Sequence, residues 1–371
     1  MNTTQETKEL PKRAFLVSVY DGSIKEAEAA ALSREFTGLT ATLGLEIAAQ
    51  EAVHIREHTA KYAMGTGKAA ELAERAKEAG ADCIIFNGDL SPSQQRNWEE
   101  LSGIAAIDRQ ELIIQIFASR AQTKEAVLQV SLAQLTYSLP RLSHKYIDLA
   151  RQRGGRYGSK GKGETRLETD RRLVQERIHR LKRELRTVKK QRDVQRKQRE
   201  RQGIPLVAIV GYTNAGKSSL LKALTGADVF IEDKLFATLD PVTRRIMNPD
   251  GLTYLLTDTV GFIRRLPHAL VNAFHSTLEE AALSDLLLHV LDATDPDIEA
   301  CYQTTRKVLA ELGAQEVPSL VVLNKVDKIT GSEQEALVRQ YPGSLCASAM
   351  EKQGLDALKT LIGQRLLELR V

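Results

Sequence analysis

The octapeptide Gly211-Tyr-Thr-Asn-Ala-Gly-Lys-Ser218 constrains the fold of this 371-residue chain more than any other feature. It matches the pattern G-x-x-x-x-G-K-[S/T], whose glycines let the backbone wrap phosphate groups while N–H groups and a helix N-terminus supply positive potential. The apolar run Leu206–Val210 precedes it, and the helix-like stretch Ser219–Leu224 follows it. This order predicts an α/β domain with a phosphate-binding loop; the structural alternative is a glycine-rich turn ahead of a helix.

A metal-binding segment is predicted further along the chain. Asp258-Thr-Val-Gly261 comes directly after the strand-like Tyr254–Thr257. A carboxylate at a strand end can hold a metal ion through water, and the glycine can offer its N–H to a γ-phosphate. In the octapeptide, Lys217 would reach the β- and γ-phosphates and Ser218 would ligate Mg²⁺.

The segment Asn324-Lys-Val-Asp327, after the strand-like Ser319–Leu323, predicts which base is bound. A carboxylate can accept both the N1–H and the exocyclic amine of guanine, and adenine lacks that pair of donors. Loss of a matched polar partner in a dry pocket is costly, so Asp327 would select guanine. Ser348-Ala349 would complete the pocket through backbone N–H groups, or would be a turn at a strand end.

Thr238 lies in the interval between the phosphate loop and Asp258, where a threonine can complete the Mg²⁺ shell and order a switch segment. Thr243 and a purely structural threonine are the alternatives. We therefore predict a catalytic set of Lys217, Thr238 and Gly261 and a metal set of Ser218, Thr238 and Asp258. The predicted contacts to GTP or GDP are Gly211, Tyr212, Thr213, Asn214, Ala215, Gly216, Lys217, Ser218, Phe236, Ala237, Thr238, Leu239, Asp240, Asp258, Thr259, Val260, Gly261, Asn324, Lys325, Val326, Asp327, Ala347, Ser348 and Ala349.

The first 202 residues predict two other kinds of structure. Residues 14–107 alternate strand-like and helix-like runs, which favours a small parallel α/β domain. Residues 108–202 lack strand-like runs and carry apolar residues at a/d spacing, which predicts an antiparallel helical hairpin. Pro140 would end or kink its first arm, and the second arm, about 168–202, would be on the order of 50 Å long. We expect three domains: 1–107, the hairpin 108–202 with a tip loop at 151–165, and 203–371 with a short helical C-terminal end.

Charge is concentrated in the hairpin. Residues 151–202 hold 20 Lys and Arg against 7 Asp and Glu, although the whole chain has a net charge of only +4. The tip carries five glycines between 151 and 164 and little that could pack, so we expect it to be flexible. A flexible and strongly basic hairpin of this kind predicts a polyanionic partner. The predicted RNA contacts are Arg151, Arg153, Arg156, Tyr157, Lys160, Lys162 and Arg166; Tyr157 would stack on a base or lie in solvent.

Composition excludes several classes of protein. The three cysteines, Cys83, Cys301 and Cys346, are far apart and fit neither a disulfide scaffold nor a zinc ribbon. No apolar run is long enough to cross a bilayer, and the N-terminus has no signal-peptide core. We expect a cytoplasmic monomer that does not insert into membranes. Gly65-Thr-Gly-Lys68 lacks the spacing of a phosphate loop, and a helix start is preferred to a second nucleotide site there.

The chain resembles the HflX family of translation-factor-related GTPases over nearly its whole length. The resemblance is carried by the segments Phe86–Arg96, Asp108–Ile113, Tyr137–Arg141, Gly161–Thr165, Glu168–Arg172, Gly211–Ser218, Phe236–Asp240 and Asp258–Ile263. It implies a GTPase that docks on the large ribosomal subunit near the peptidyl-transferase centre and separates stalled or stress-inactivated ribosomes. It also assigns Phe236–Asp240 to the first switch, with Thr238 and Ser218 on Mg²⁺.

Two residues depart from, or add to, the general pattern of this class. Phe262 occupies the position where many relatives carry a water-orienting glutamine, so we expect slow turnover that a partner accelerates. Asn214 resembles the asparagine that holds K⁺ beside the phosphates in cation-dependent GTPases; the alternative is an asparagine that satisfies loop amides.

Three functions are consistent with these patterns. The first is a GTP-driven factor that remodels or splits ribosomes. The second is a nucleotide-switched ribosome-binding module whose hydrolysis only resets occupancy. The third is an ATP-dependent RNA-unwinding enzyme that uses the N-terminal domain.

Overall fold

The computed structural model describes residues 11–152, 160–226, 232, 234–248, 251–265, 267 and 275–369, with the side chains of 143–152, 160–167, 195, 198–200 and 275–278 left out. Two compact units are present, each with its own parallel or mostly parallel sheet, so the predicted fold class is confirmed. Residues 1–119 and 134–178 form the first unit, and residues 120–133 and 179–371 form the second. The division into three domains stays a prediction.

The first unit is built on a four-stranded sheet of order β2-β1-β3-β4 in which all strands are parallel. Local signals in the sequence place its helices: Ser91 accepts the Gln94 N–H in a capping box, and Pro92 begins α3. Gly65 is the N-cap of α2, so Gly65–Lys68 is a helix start, as preferred. The elements are β1 Arg13–Tyr20, α1 Glu26–Thr42, β2 Glu46–His54, α2 Thr66–Glu78, β3 Cys83–Phe86, α3 Pro92–Ser102, β4 Ala105–Asp108 and α4 Arg109–Arg120.

Trp98 is the centre of this unit's core. Its side chain is fully buried, its indole N–H donates to the carbonyl oxygen of Tyr62 at 3.1 Å, and its ring packs 4.8 Å from that of Phe86. Burial of a large aromatic group with its one polar atom satisfied stabilises a small α/β layer strongly. The alternation of apolar strands and amphipathic helices that the sequence shows is therefore realised as one core.

The helices after α4 are longer than predicted. The kink that was the other possibility at Pro140 stays a prediction, but the helix does not end there, since α5 spans Lys124–Gln152. The next residue explains why: the Arg141 guanidinium donates to Asp108 at 3.0 Å and to the Leu90 carbonyl at 2.8 Å, and these contacts outweigh one lost backbone bond. Helix α6, Lys160–Arg201, has 42 residues and a length of about 63 Å. It includes the end of the glycine-rich tip, because each glycine costs an established helix only about 1 kcal/mol.

The second unit contains a six-stranded sheet of order β10-β9-β8-β5-β7-β6, with only β6 antiparallel to its neighbour. The predicted strands at 206–210, 254–257, 286–291 and 319–323 are confirmed to within a residue or two at each end. Its elements are β5 Leu206–Gly211, α7 Lys217–Thr225, β6 Val242–Met247, β7 Thr253–Asp258, α8 His275–Ala282, β8 Leu286–Asp292, α9 Ile298–Glu311, β9 Ser319–Asn324, a 3₁₀ turn Val326–Lys328, α10 Gly331–Gln340, β10 Leu345–Cys346 and α11 Leu355–Glu368.

The three cysteines are separate from one another in the structure. Cys83 and Cys301 are buried, Cys346 is half-buried, and all three are free thiols. In the described part of the chain no helix combines the length and apolar character needed to cross a bilayer.

Candidate nucleotide site

The phosphate loop lies where β5 ends and α7 begins, at the carboxyl edge of the second sheet. Gly216 has φ +89°, and a Cβ atom built there would lie 2.2 Å from the amide nitrogen of Asn324. That amide donates to the Ala215 carbonyl at 2.9 Å. Only glycine fits this position, because its backbone is left-handed and a side chain of another motif occupies the space. The first and third predicted motifs therefore contact each other directly.

Lys217 is the buried cation of the loop. Its side chain is 6% exposed, and its ammonium group donates to the Tyr212 carbonyl at 2.8 Å. Burial lowers its pKa to about 8, and the nearby carboxylate of Asp258 only partly opposes this. An ammonium group held out of water beside a glycine-rich loop is suited to bind phosphate oxygens.

The predicted metal ligands converge on one point. The hydroxyl oxygens of Ser218 and Thr238 are 2.7 Å apart, and the Ser218 hydroxyl donates to a carboxylate oxygen of Asp258 at 2.6 Å. Asp258 is fully buried, and its other carboxylate oxygen has no hydrogen-bond partner. Burial raises the pKa of Asp258 despite the neighbouring Lys217. Two hydroxyls and one orphaned carboxylate oxygen fit Mg²⁺, which takes few protein oxygens and completes its shell with phosphate and water.

Thr243, the alternative to Thr238, is engaged elsewhere. Its hydroxyl lies 2.8 Å from that of Thr257 across the β6–β7 pair. Among the described residues there is also no cluster of three or more His, Cys, Asp or Glu side chains able to hold a metal ion. Because the Thr243 hydroxyl is bonded to Thr257 and the Thr238 hydroxyl lies beside that of Ser218, the geometry favours Thr238 as the threonine of the site.

Gly261 and Phe262 connect the metal-binding segment to the phosphate loop. A Cβ on Gly261 would lie 2.7 Å from Cα of Thr213 and 2.9 Å from the Lys217 nitrogen, so a side chain there would displace the loop. The Phe262 N–H donates to the Gly211 carbonyl at 3.1 Å, and its carbonyl accepts from the Thr213 N–H at 2.8 Å. The Phe262 ring is buried at 1% exposure. The ring is therefore a core group, a role that sequence reasoning missed.

The switch segment, defined here as Glu232 and residues 234–240, is anchored on the phosphate loop at one point and on other residues at another. Phe236 has φ +54°, is buried, and donates its N–H to the Thr213 hydroxyl at 2.8 Å, which anchors the segment on the loop. Leu239 is also buried. The Asp240 carboxylate accepts the N–H groups of Gln122 and Thr123 at 3.0 and 3.1 Å, and its contact with the nucleotide stays a prediction.

The base-recognition segment is held by Asn324 and Lys325. The Asn324 side-chain oxygen accepts from the Ala349 N–H at 3.2 Å, which brings the Ser348-Ala349 pair into the site. Lys325, at φ +65°, donates to the Asn214 carbonyl at 2.9 Å and to Asp292 at 2.6 Å. Asp327 follows in the 3₁₀ turn with an exposed side chain. Asp292 was missed, because nothing in its local sequence indicates a partner 33 residues away.

The other predicted residues fall into two groups. Thr259 and Val260 are buried, and the Thr259 hydroxyl donates to the Ile209 carbonyl at 2.7 Å, so both support the strand end. Ala347 is likewise fully buried. The predicted RNA contacts lie outside the described residues, wholly for Arg153, Arg156 and Tyr157 and in their side chains for Arg151, Lys160, Lys162 and Arg166.

Comparisons with known proteins agree with this geometry. Residues 31–118 match a family described as GTP-binding GTPase N-terminal, residues 120–199 one described as GTP-binding GTPase Middle Region, and residues 206–325 one described as 50S ribosome-binding GTPase. The chain is 51% identical over 340 residues to GTPase HflX of Akkermansia muciniphila, covering 90% of this chain and 78% of that relative. It is 42% identical over 357 residues to GTPase HflX of Escherichia coli K12, covering 96% and 83%.

A solved structure agrees as well. The crystal structure of SsGBP in complex with GDP is similar to this chain at 27% identity and a TM-score of 0.53, covering 97% of this chain and all of that one. The similarity extends through both units.

The buried Lys217 generates a prediction about protons. With a pKa of about 8 in the free site, Lys217 is mostly neutral near pH 9, and nucleotide phosphates would restore its charge. We expect GDP binding near pH 9 to take up close to one proton, and binding near pH 7 to take up almost none through this group. Calorimetry in two buffers of different ionisation enthalpy measures this; equal uptake at both pH values would contradict it.

The same depressed pKa sets the sign of a stability change. Between about pH 8 and 10.5 the unfolded chain binds more protons at Lys217 than the folded one, so the nucleotide-free protein gains stability as pH rises through this window. Saturation with GDP should reduce that gain, because the bound phosphates raise the folded-state pKa.

Proposed function

Because the chain belongs to the HflX family of GTPases, we propose that it is a GTP-driven factor that binds the large ribosomal subunit and splits or remodels stalled ribosomes. The observation that carries the proposal is that the phosphate loop contacts both the metal-binding and the base-recognition segment, in a chain that also has a long helix rich in Lys and Arg. The 50S ribosome-binding description of the matched GTPase family supports the choice of partner.

The chain's own residues would divide the work of hydrolysis. Lys217 would bind the β- and γ-phosphates, and the Gly261 N–H would contact the γ-phosphate. Ser218, Thr238 and Asp258 would hold Mg²⁺, which neutralises phosphate charge when bound. Asp327 would accept the two guanine donors, and the backbone of Ser348-Ala349 would close the base pocket.

The residue directly after Gly261 cannot orient a water molecule through its side chain. The Phe262 ring is buried and has no polar atom, so we propose slow turnover of the free protein. Acceleration would require a partner that fixes the switch segment or supplies a polar group. Docking near the peptidyl-transferase centre would place a structured RNA at the hairpin tip, where backbone phosphates would dominate affinity.

Base selection generates the first prediction. Asp327→Asn should lower GTP affinity about 100-fold or more, because Asn presents a donor to the guanine amine. Xanthosine triphosphate has a carbonyl oxygen in place of that amine, so the variant should bind it better than the wild type does. Fluorescent-nucleotide titration measures both affinities. Asp356→Asn, an exposed acid in the first turn of α11, is the matched control and should change neither.

The basic tip of the hairpin, residues 151–165, generates the second prediction. Deletion of residues 151–165, or Arg151, Arg153 and Arg156 all changed to Ala, should abolish co-sedimentation with large subunits and the stimulation of GTPase activity. Wild-type binding should fall steeply between about 50 and 200 mM salt. Lys25, Lys307 and Arg339, all exposed elsewhere, are the matched triple-Ala control. Retained binding by both tip variants would contradict the proposal.

A mixture of the protein with whole ribosomes distinguishes a factor that splits ribosomes from a module that only binds them. Light scattering of whole ribosomes should fall on addition of protein with GTP or a non-hydrolysable analogue if the chain separates subunits. Binding without any fall in scattering would favour the second function, a nucleotide-switched module.

Asn214 generates the third prediction. It lies in the loop at φ +62°, and its carbonyl accepts from Lys325. We propose that K⁺ beside this residue supplies a charge during hydrolysis that no arginine provides. GTPase rates should be several-fold higher in potassium than in sodium chloride at equal ionic strength; equal rates would exclude the idea.

A further inference from the structure

The switch segment is held at both ends by one short stretch of the helical region. This stretch, the linker, consists of Arg120, the last residue of α4, and residues 121–123, which lead into α5. Linker, switch segment and nucleotide site belong to the same unit. Between the two attachment points lie Phe236, which bonds to the phosphate loop, and Thr238, whose hydroxyl lies beside that of Ser218.

At the C-terminal attachment, Asp240 binds the beginning of α5. Its carboxylate accepts from the N–H groups of Gln122 and Thr123 and from the Thr123 hydroxyl. Thr123 is at the same time the N-cap of α5, because its hydroxyl accepts the Ala126 N–H at 3.2 Å. A carboxylate at a helix N-terminus is favoured by both the free N–H groups and the helix dipole. Asp240 is thus a second capping group, supplied from another segment.

At the N-terminal attachment, Glu232 binds Arg120. The guanidinium group of Arg120 is ion-paired with Glu232, and Lys234 lies 3.7 Å from the same carboxylate. The hydrogen bond from Arg120 is the main reason why the pKa of Glu232 is lowered. Glu232 and Lys234 also line the cavity at the phosphate loop, together with Lys217, Ser218 and Thr238.

The first turn of α5 is itself fixed against the rest of the unit. Arg192 of α6 pairs with Glu125 of α5 at 2.9 Å and with Glu280 of α8 at 3.3 Å. Lys189, one turn away, pairs with Glu279 at 2.9 Å. Three helices are therefore joined by ion pairs where the linker ends, so the linker is a defined support for the switch segment.

We infer that Asp240 is a positioning residue for GTP hydrolysis: with the Arg120–Glu232 pair it clamps the switch segment on the start of α5 and so places Thr238 at the metal. The clamp also makes the order of the α5 N-terminus depend on the nucleotide. When Thr238 binds the metal ion beside GTP, both attachments of the switch segment hold. When Thr238 is released, the bonds of Asp240 to the N-terminus of α5 weaken. The inference needs only the GTPase activity, so all of its tests use the free protein.

Asp240→Asn keeps the shape of the cap but removes its charge, and Thr123→Val removes the hydroxyl donor. Both should lower kcat for GTP and raise the Mg²⁺ concentration for half-maximal rate by about two- to fivefold, the range of an exposed cap or ion pair. GDP affinity should stay within twofold, because Lys217 and Asp327 do not contact the clamp. Asp356→Asn is again the matched control, an acid at another helix N-terminus of the unit.

The ion pair allows a rescue experiment. Arg120→Glu and Glu232→Arg should each reduce kcat, and the double variant should recover most of the loss. Hydrogen exchange adds a direct measurement: the N–H groups of Gln122 and Thr123 should exchange more slowly with a non-hydrolysable GTP analogue than with GDP, and Asp240→Asn should remove that difference.

A purely structural role gives a different result. It would lower thermal stability and weaken GDP and GTP equally, without a change in Mg²⁺ dependence. That outcome, identical exchange at residues 122 and 123 in both nucleotide states, or no recovery in the double variant would overturn the inference. Normal clamp behaviour with no ribosome binding would leave the inference intact and overturn only the proposed function.

Discussion

Two buried charges at one sheet edge determine how the second unit must be built. Lys217 and Asp258 both lose water on folding, and each shifts the other's pKa less than burial does. The free energy cost of burying the two charges is partly offset by their mutual attraction, because the adjacent parallel strands β5 and β7 end side by side and bring the two side chains together. Gly216 and Gly261 let the neighbouring motifs approach these charges closely, because Asn324, Thr213 and Lys217 occupy the space that a side chain there would take. The phosphates and Mg²⁺ of a bound nucleotide would carry charges opposite to those of Lys217 and Asp258. The site is therefore arranged around a ligand whose charges complement its own.

The motifs of the site are joined by hydrogen bonds, from the backbone of Phe262 and from the side chain of Asn324. Phe262 bridges the metal-binding segment to the loop, and Asn324 bridges the loop to the base pocket. A displacement of one motif is therefore transmitted to the others through one or two hydrogen bonds. The bonds of Asp240 and Glu232 extend this connection to the start of α5, where Arg192 of the charged helix α6 pairs with Glu125.

Much of this was predictable where chemistry depends on local order along the chain. Lys217, Ser218 and Asp258 meet as expected because strand ends of a parallel sheet share an edge, and the Ser91 cap follows from three neighbouring residues. Asp240, Asp292 and Arg141 act through partners tens of residues away, which local patterns do not specify. Pro140 shows the same limit: its intrinsic preference is overridden by the contacts of Arg141. The three-domain division and the nucleotide and RNA contacts themselves stay predictions.

The chain contains a single tryptophan, and it lies in the core of the first unit. Its fluorescence can be excited at a wavelength where the tyrosines absorb little, so the emission reports on the first unit alone. Nucleotides bind in the other unit, so a change in this emission on adding GTP would be an optical signature of communication between the two halves of the molecule, obtained without any label.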